Sequence, residues 1–135
     1  MNTVLLIAHA PLASALRLAA LHVLGDAAAD DVRALDVQPD AAPEQSLAAA
    51  QAALAGCRPE GGLLILTDVL GATPCNVATR LLASCPEARL LTGASLPMLL
   101  RALTYRGEPL EVMAERALAG GVQGIRNVAA SASVS

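Results

Sequence analysis

The sequence predicts an α/β domain: a doubly wound, mainly parallel four-stranded sheet with helices on both faces. Three observations predict it. Short uninterrupted apolar runs alternate along the chain with stretches of helical spacing. That βαβαβαβα order requires right-handed crossovers and a mostly parallel sheet. The chain has 135 residues and is 55% hydrophobic, enough for one sizeable core and one domain.

Each element has its own signal. Val4 to Ala8 is a continuous apolar run, as a strand buried on both faces should be. Leu12, Leu16, Ala19, Ala20 and Val23 then recur at helical spacing, and Gly25 stops that helix. Val32 to Val37 reads as a second strand with Asp36 near its end, and Gln38-Pro39-Asp40 as a loop. An alanine-rich helix follows from Pro43 to Ala55, closed by Gly56. Gly62 to Thr67 is the clearest strand, followed by a helix from about Pro74 to Ala83. Arg89 to Thr92 is a fourth, short strand with a Gly93-Ala94-Ser95 loop. Further helices run from Pro97 to about Tyr105 and from Leu110 to Ala119. The domain is expected to span residues 1–128, with 129–135 a short flexible tail of small and polar residues.

Composition narrows the function. Aromatics are 1% of the chain, Tyr105 alone, so the core must be aliphatic. Net charge is −3 and lysine is absent, which removes the basic stripe that nucleic-acid binding needs. The uncharged stretch Met1 to Leu16 falls short of the ~20 apolar residues of a membrane span and lacks the basic start of a signal peptide. A cytoplasmic protein is expected. The three cysteines, Cys57, Cys75 and Cys85, lack a metal-type spacing and read as packed free thiols. No metal and no cofactor are expected.

The chemistry collects at strand ends. In a parallel sheet these point the same way, and ligands bind in the crevice where strand order reverses. The first strand runs into His9-Ala10-Pro11, and the third into Asp68. A histidine beside a carboxylate has a fixed tautomer and a stabilised charged form, so it is a poised nucleophile or base. Farther on, Thr73-Pro74 places a hydroxyl as a helix cap before a proline at the first helical position. Ser95-Leu96-Pro97 also puts a proline at the first helical position, with Ser95 or Leu96 near the cap. Free N–H groups at a helix start attract phosphate, and Gly71 lets backbone approach closely. Gly71, Ala72, Thr73 and Asn76 form the candidate phosphate-binding set. His22 lies inside the first helix and reads as a structural or surface residue. Each of these features also has an ordinary structural use; their joint placement at two strand ends points to function.

At these residues the sequence resembles the IIA domain of the mannose-type phosphoenolpyruvate-dependent sugar phosphotransferase system. The matching pieces are Leu6 to His9, Leu66 to Asn76, and Gly93 to Leu99. The second is similar to the family signature Asp-x-x-Gly-Gly-Ser-Pro-x-Asn, with Ala72 in the Gly-Gly position and Thr73 for its serine. Ala10 stands where many members have glycine, Ser95 where asparagine is common, and the aromatics that often flank the site are absent.

The resemblance implies that His9 accepts phosphate from the small carrier HPr and passes it to a IIB partner. It implies that Asp68 orients the ring and that Thr73 hydrogen-bonds near it. It further implies a strand order of 2-1-3-4 and a homodimer exchanging a C-terminal antiparallel strand. Val122 to Val128 are the candidates for that strand, with Gly120-Gly121 as a hinge. The match covers nearly the whole chain, so a free-standing IIA domain is expected, with membrane association only through transporter partners. A regulatory phospho-switch with no transported sugar shares the same site, as does the phosphotransfer subunit of a dihydroxyacetone-kinase-type system. An aspartate-phosphorylated receiver domain fits worst. It needs an acidic pair after its first strand and a lysine, and neither is present.

Overall fold

The computed structural model describes residues 1–57 and 61–131. Strand β1 is Thr3–His9, followed by helix α1, Leu12–Leu24. A short 3₁₀ helix, Asp26–Asp31, leads into β2, Val32–Val37, and then α2, Pro43–Ala53. Strand β3 is Leu63–Thr67 and α3 is Thr73–Ser84. Strand β4, Arg89–Leu91, precedes α4, Leu96–Thr104. Helix α5 is Leu110–Gln123, and a last turn, α6, is Val128–Ser131. No helix among the described residues is long and apolar enough to cross a membrane.

The strands form one sheet of order β2-β1-β3-β4, every pair parallel. The chain steps from β1 outward to β2, then returns to lay β3 on the other side of β1. Strand order therefore reverses between β1 and β3, and the crevice opens at their carboxyl ends.

Two apolar layers sandwich the sheet. Val4, Leu6, Leu64 and Leu66 join residues of α1, α4 and α5, among them Ala20, Leu99, Leu103 and Met113. Leu5, Ile7 and Ile65 face the other way, onto Ala50 of α2 and Val77, Ala78 and Leu81 of α3. This alternation explains why β1 and β3 read as unbroken apolar runs: both faces are covered. Full burial of each such Leu or Ile contributes about 1.5–3 kcal/mol.

Gly25 ends α1 with φ of +85°, a conformation glycine adopts without Cβ strain, and its N–H bonds to Leu21 O at 2.8 Å. The 3₁₀ helix was not expected. It fills the corner between α1 and β2, where Arg17 bonds to the carbonyls of Ala29 and Val32.

The C-terminal part departs from expectation. Gly120-Gly121 is not a hinge but lies inside α5, which runs on to Gln123. A Cβ on Gly120 would stand 2.7 Å from Arg101 Cβ, one on Gly121 2.9 Å from Met98 Cε, and one on Gly124 2.7 Å from Pro97 Cβ. These glycines let α5 approach α4 closely, and that packing outweighs their weak helix propensity. Consequently Val122 to Val128 do not form a strand. They comprise the end of α5, an irregular stretch and the first residue of α6. Of the expected tail, 129–131 belong to α6, and 132–135 lie outside the described residues.

Candidate functional site

Pairing of β1 with β3 sets Ile7 beside Thr67, so the residues that follow emerge together at the crevice. His9 is the last residue of β1, and Asp68 directly follows β3. The His9 ring Nδ1 lies 2.7 Å from Asp68 Oδ2. The His9 backbone N–H donates to the same oxygen at 3.1 Å, and the Val69 N–H donates to Oδ1 at 3.0 Å. Asp68 thus holds both the backbone and the ring of His9. Its own backbone is fixed by the loop before α4, where the Gly93 N–H donates to Asp68 O at 3.1 Å. The His9 side chain is 53% exposed and that of Asp68 only 9%. With Nδ1 engaged, Nε2 is the nitrogen available on a half-exposed ring.

Burial raises the pKa of the Asp68 carboxyl. The hydrogen bond with the His9 ring, the N–H groups of His9 and Val69, and the charge of His9 lower it by more. The net position is below the usual carboxylate value. Asp68 is therefore ionised at neutral pH and available to stabilise a charged ring.

The turn from β3 to α3 passes through Gly71, whose φ of +81° favours glycine. Thr73 is not the cap of α3. The cap position is Ala72, and no side chain closes the helix. Thr73 is the first helical residue, with Pro74 next to it, so proline supplies the fixed φ that a helix start tolerates. Of the first-turn residues, Thr73 and Cys75 carry N–H groups with no side-chain cap, Pro74 has no N–H, and the Asn76 N–H bonds to Ala72 O at 3.0 Å. At α4 Ser95 is the cap, its hydroxyl accepting the Met98 N–H at 3.3 Å, but the first helical residue is Leu96 and Pro97 is the second.

A cavity of about 400 Å³ opens beside the histidine. It is lined by His9, Ala10 and Thr73 together with Val37, Gln38, Pro39, Ala41 and Pro43. The structure therefore brings His9, Asp68 and Thr73 to one crevice. Gly71, Ala72 and Asn76 lie on the adjoining turn and first turn of α3 without lining this cavity. Sequence reasoning missed the Gln38-to-Pro43 wall, which reads locally as an ordinary loop. It also missed a second carboxylate. Asp36 of β2 accepts the Ser14 N–H at Oδ1, 3.0 Å, and the Ser14 hydroxyl at Oδ2. Only the proline at position 11, which cannot cap a helix with its side chain, hinted that α1 needed an outside acceptor.

His22 is exposed on α1, away from this crevice. The three cysteines are free, Cys75 buried and the other two half-buried. No group of three or more His, Cys, Asp or Glu side chains among the described residues gathers as a metal site.

The site and fold can be set against known proteins. The chain matches the model of the family described as PTS system fructose IIA component over residues 3–117. No curated protein matches it by sequence search. Similar solved structures include phosphotransferase system component EIIA from Streptococcus agalactiae, with TM-score 0.82 and 22% identity over 96% of this chain and 99% of that one. The mannose/sorbose specific IIA subunit from Enterococcus faecalis gives TM-score 0.81 and 22% identity over 93% of each chain. A sigma-54 interaction domain protein from Enterococcus faecalis gives TM-score 0.74 and 16% identity over 93% of each chain. At these identities the structures establish the shared fold, and the family match carries the assignment: this chain belongs to the family of the PTS system fructose IIA component.

Proposed function

We propose that this protein is a cytoplasmic phosphocarrier of the sugar phosphotransferase system, accepting phosphate from HPr on His9. One observation carries the reading: a half-exposed ring whose Nδ1 is held 2.7 Å from a buried, ionised carboxylate, leaving Nε2 for attack. The Nε2 lone pair attacks phosphorus of the donor phosphohistidine. A new P–N bond forms as the donor's P–N bond breaks, and the donor imidazole leaves with the bonding pair. The proton stays on Nδ1, and Asp68 offsets the positive charge of the phosphorylated ring. Thr73 and the uncapped start of α3 support the phosphoryl oxygens. Gly71, Ala72 and Asn76 complete the phosphate-binding set from the adjoining turn.

Onward transfer reverses the chemistry, with an acceptor on a IIB partner taking the phosphoryl group. Val69 and Leu70, both exposed beside Asp68, offer the docking partner an aliphatic surface where aromatic anchors are absent. A regulatory output through the same phosphohistidine is the second reading, motivated by the fold shared with a sigma-54 interaction domain protein. The protein acts as a homodimer in this proposal.

Phosphoenolpyruvate, enzyme I and HPr should label the wild type and His22→Ala but not His9→Ala. The label should be acid-labile and base-stable, as phosphohistidine is and an acyl phosphate on Asp68 is not. A labelled His9→Ala protein overturns the assignment. A chase with IIB separates the outputs, since rapid loss of label to IIB marks transport.

A further inference from the structure

We propose that Asp36 is a positioning residue for His9, closing the N-terminus of α1 from the neighbouring strand and so holding the corner that carries the histidine. This role in transfer rests on the phosphocarrier reading; the geometric part can be measured without it.

Helix α1 begins at Leu12, close behind His9, with Pro11 at its cap position and no side-chain cap bond of its own. A helix start needs an acceptor for its first-turn N–H groups, and a local Ser, Thr, Asp or Asn ordinarily supplies it. Proline has no such oxygen. Asp36 supplies it across the sheet. Its Oδ1 accepts the N–H of Ser14, the third residue of α1, at 3.0 Å, and its Oδ2 accepts the Ser14 hydroxyl. Carboxylate charge at this end of the helix is also favoured by the helix dipole.

The register makes this a constraint on the histidine. Asp36 lies opposite Ala8, and Val37 opposite His9. The Val37 carbonyl accepts the Ala10 N–H at 3.1 Å. Strand β2 therefore grips the chain after His9 at Ala10 and at Ser14. On the opposite side, Asp68 beyond β3 grips His9 itself through its N–H and its ring. The histidine corner is thus clamped between β2 and β3. Without Asp36, the stretch from His9 to Ser14 keeps from β2 the bond to Val37 O, with α1 tied to β2 only farther along through Arg17 and Val32 O. In-line transfer needs Nε2 aligned with phosphorus, so loosening the corner costs rate rather than partner affinity.

The test uses the full-length protein as Asp36→Ala, Asp36→Asn, Asp36→Ser and Ser14→Ala. Asparagine keeps the geometry: its carbonyl oxygen accepts the Ser14 N–H, and its amide donates to the hydroxyl. Asp36→Ala should lower kcat for phosphate acceptance from phospho-HPr about tenfold or more, with KM for HPr changed by less than about twofold. Its His9 ring nitrogen resonances should shift, and Asp36→Asn should recover most of the wild-type rate and resonances. A merely stabilising residue would lower the melting temperature and leave the resonances in place. Wild-type kcat and resonances in Asp36→Ala overturn the proposal, as does Asp36→Asn performing no better than Asp36→Ala. Should Asp36→Ala not fold, Asp36→Ser decides, since its shorter side chain withdraws the acceptor from both Ser14 bonds: reduced kcat at unchanged KM supports the role, and unchanged kcat and resonances overturn it. Ser14→Ala, which keeps the bond from its N–H to Oδ1, should fall between that variant and wild type. If the wild type takes no phosphate from HPr, the phosphocarrier reading fails, while the resonance comparison still decides the positioning role.

Discussion

A single oxygen, Oδ2 of Asp68, lies 2.7 Å from the ring Nδ1 of His9 and accepts the His9 backbone N–H at 3.1 Å. The ring and the main chain of His9 therefore share one anchor. The tautomer, the ring orientation and the strand end are fixed together, and a change at Asp68 is felt in all three.

Asp68→Asn tests that coupling. The amide preserves shape but loses the charge that steadies the positive ring. Phosphate acceptance is expected to slow roughly 10²–10⁴-fold, as loss of a general acid–base partner does. The variant should remain folded with a modestly lower melting temperature at neutral pH, because the amide oxygen still accepts the backbone N–H while the stabilisation carried by the carboxylate charge is lost. Wild-type transfer rates in this variant would refute the orienting role.

The lowered pKa of Asp68 sets a pH signature. The carboxylate is more acidic folded than unfolded, so the unfolded state binds its proton first as pH falls. The stabilisation is complete above the ordinary carboxylate value of about 4 and is lost as pH drops through the lowered folded value. Denaturant titrations of wild type and Asp68→Asn should show a stability difference that shrinks as pH falls below about 4. A difference that grows on acidification would reverse the sign assigned here.

Gly120→Ala should destabilise the protein, against the usual trend. Alanine in a helix interior normally gains about 0.8–1 kcal/mol over glycine. Here the new Cβ would sit 2.7 Å from Arg101 Cβ and 3.2 Å from Pro97 O, and overpacking of this kind costs about 1–3 kcal/mol. The clash wins, or at best cancels the gain. Gly107→Ala, where nothing lies within 4 Å, is the control and should be near neutral. A stabilised Gly120→Ala would mean that α5 does not pack on α4 this closely.

The proposed homodimer has an apolar stripe to use. Leu118, Val122, Ile125 and Val128 are exposed along the end of α5 and the turn after it. Light scattering at micromolar concentration should give about twice the chain mass, and Ile125→Asp should shift it towards the monomer. A mass near 13.6 kDa for the unaltered protein would remove the dimer.

Much of this was readable from residue order alone, for a physical reason. Strands β1 and β3 are covered on both faces, so their apolar runs are unbroken, and the polar residues that follow, His9 and Asp68, stand out against them. Pro43, Pro74 and Pro97 mark helix starts because proline is cheap only there. What was misread depended on contacts distant in sequence. Gly120-Gly121 looks like a breaker until Arg101, Met98 and Pro97 are seen to need the room. Thr73 looks like a cap until Ala72 takes that position. Asp36 looks like the end of a strand until Ser14, on another element, completes it.

Helices α1 and α3 leave the crevice on opposite faces of the sheet, each packed into its own apolar layer. One follows His9 and the other follows Asp68, so the histidine and its anchor answer to different halves of the sandwich. Any sliding of one layer over the other would be registered at the bond between them. The contact between His9 and Asp68 thus joins, at the crevice, the two chain segments that lead into opposite layers of the sandwich.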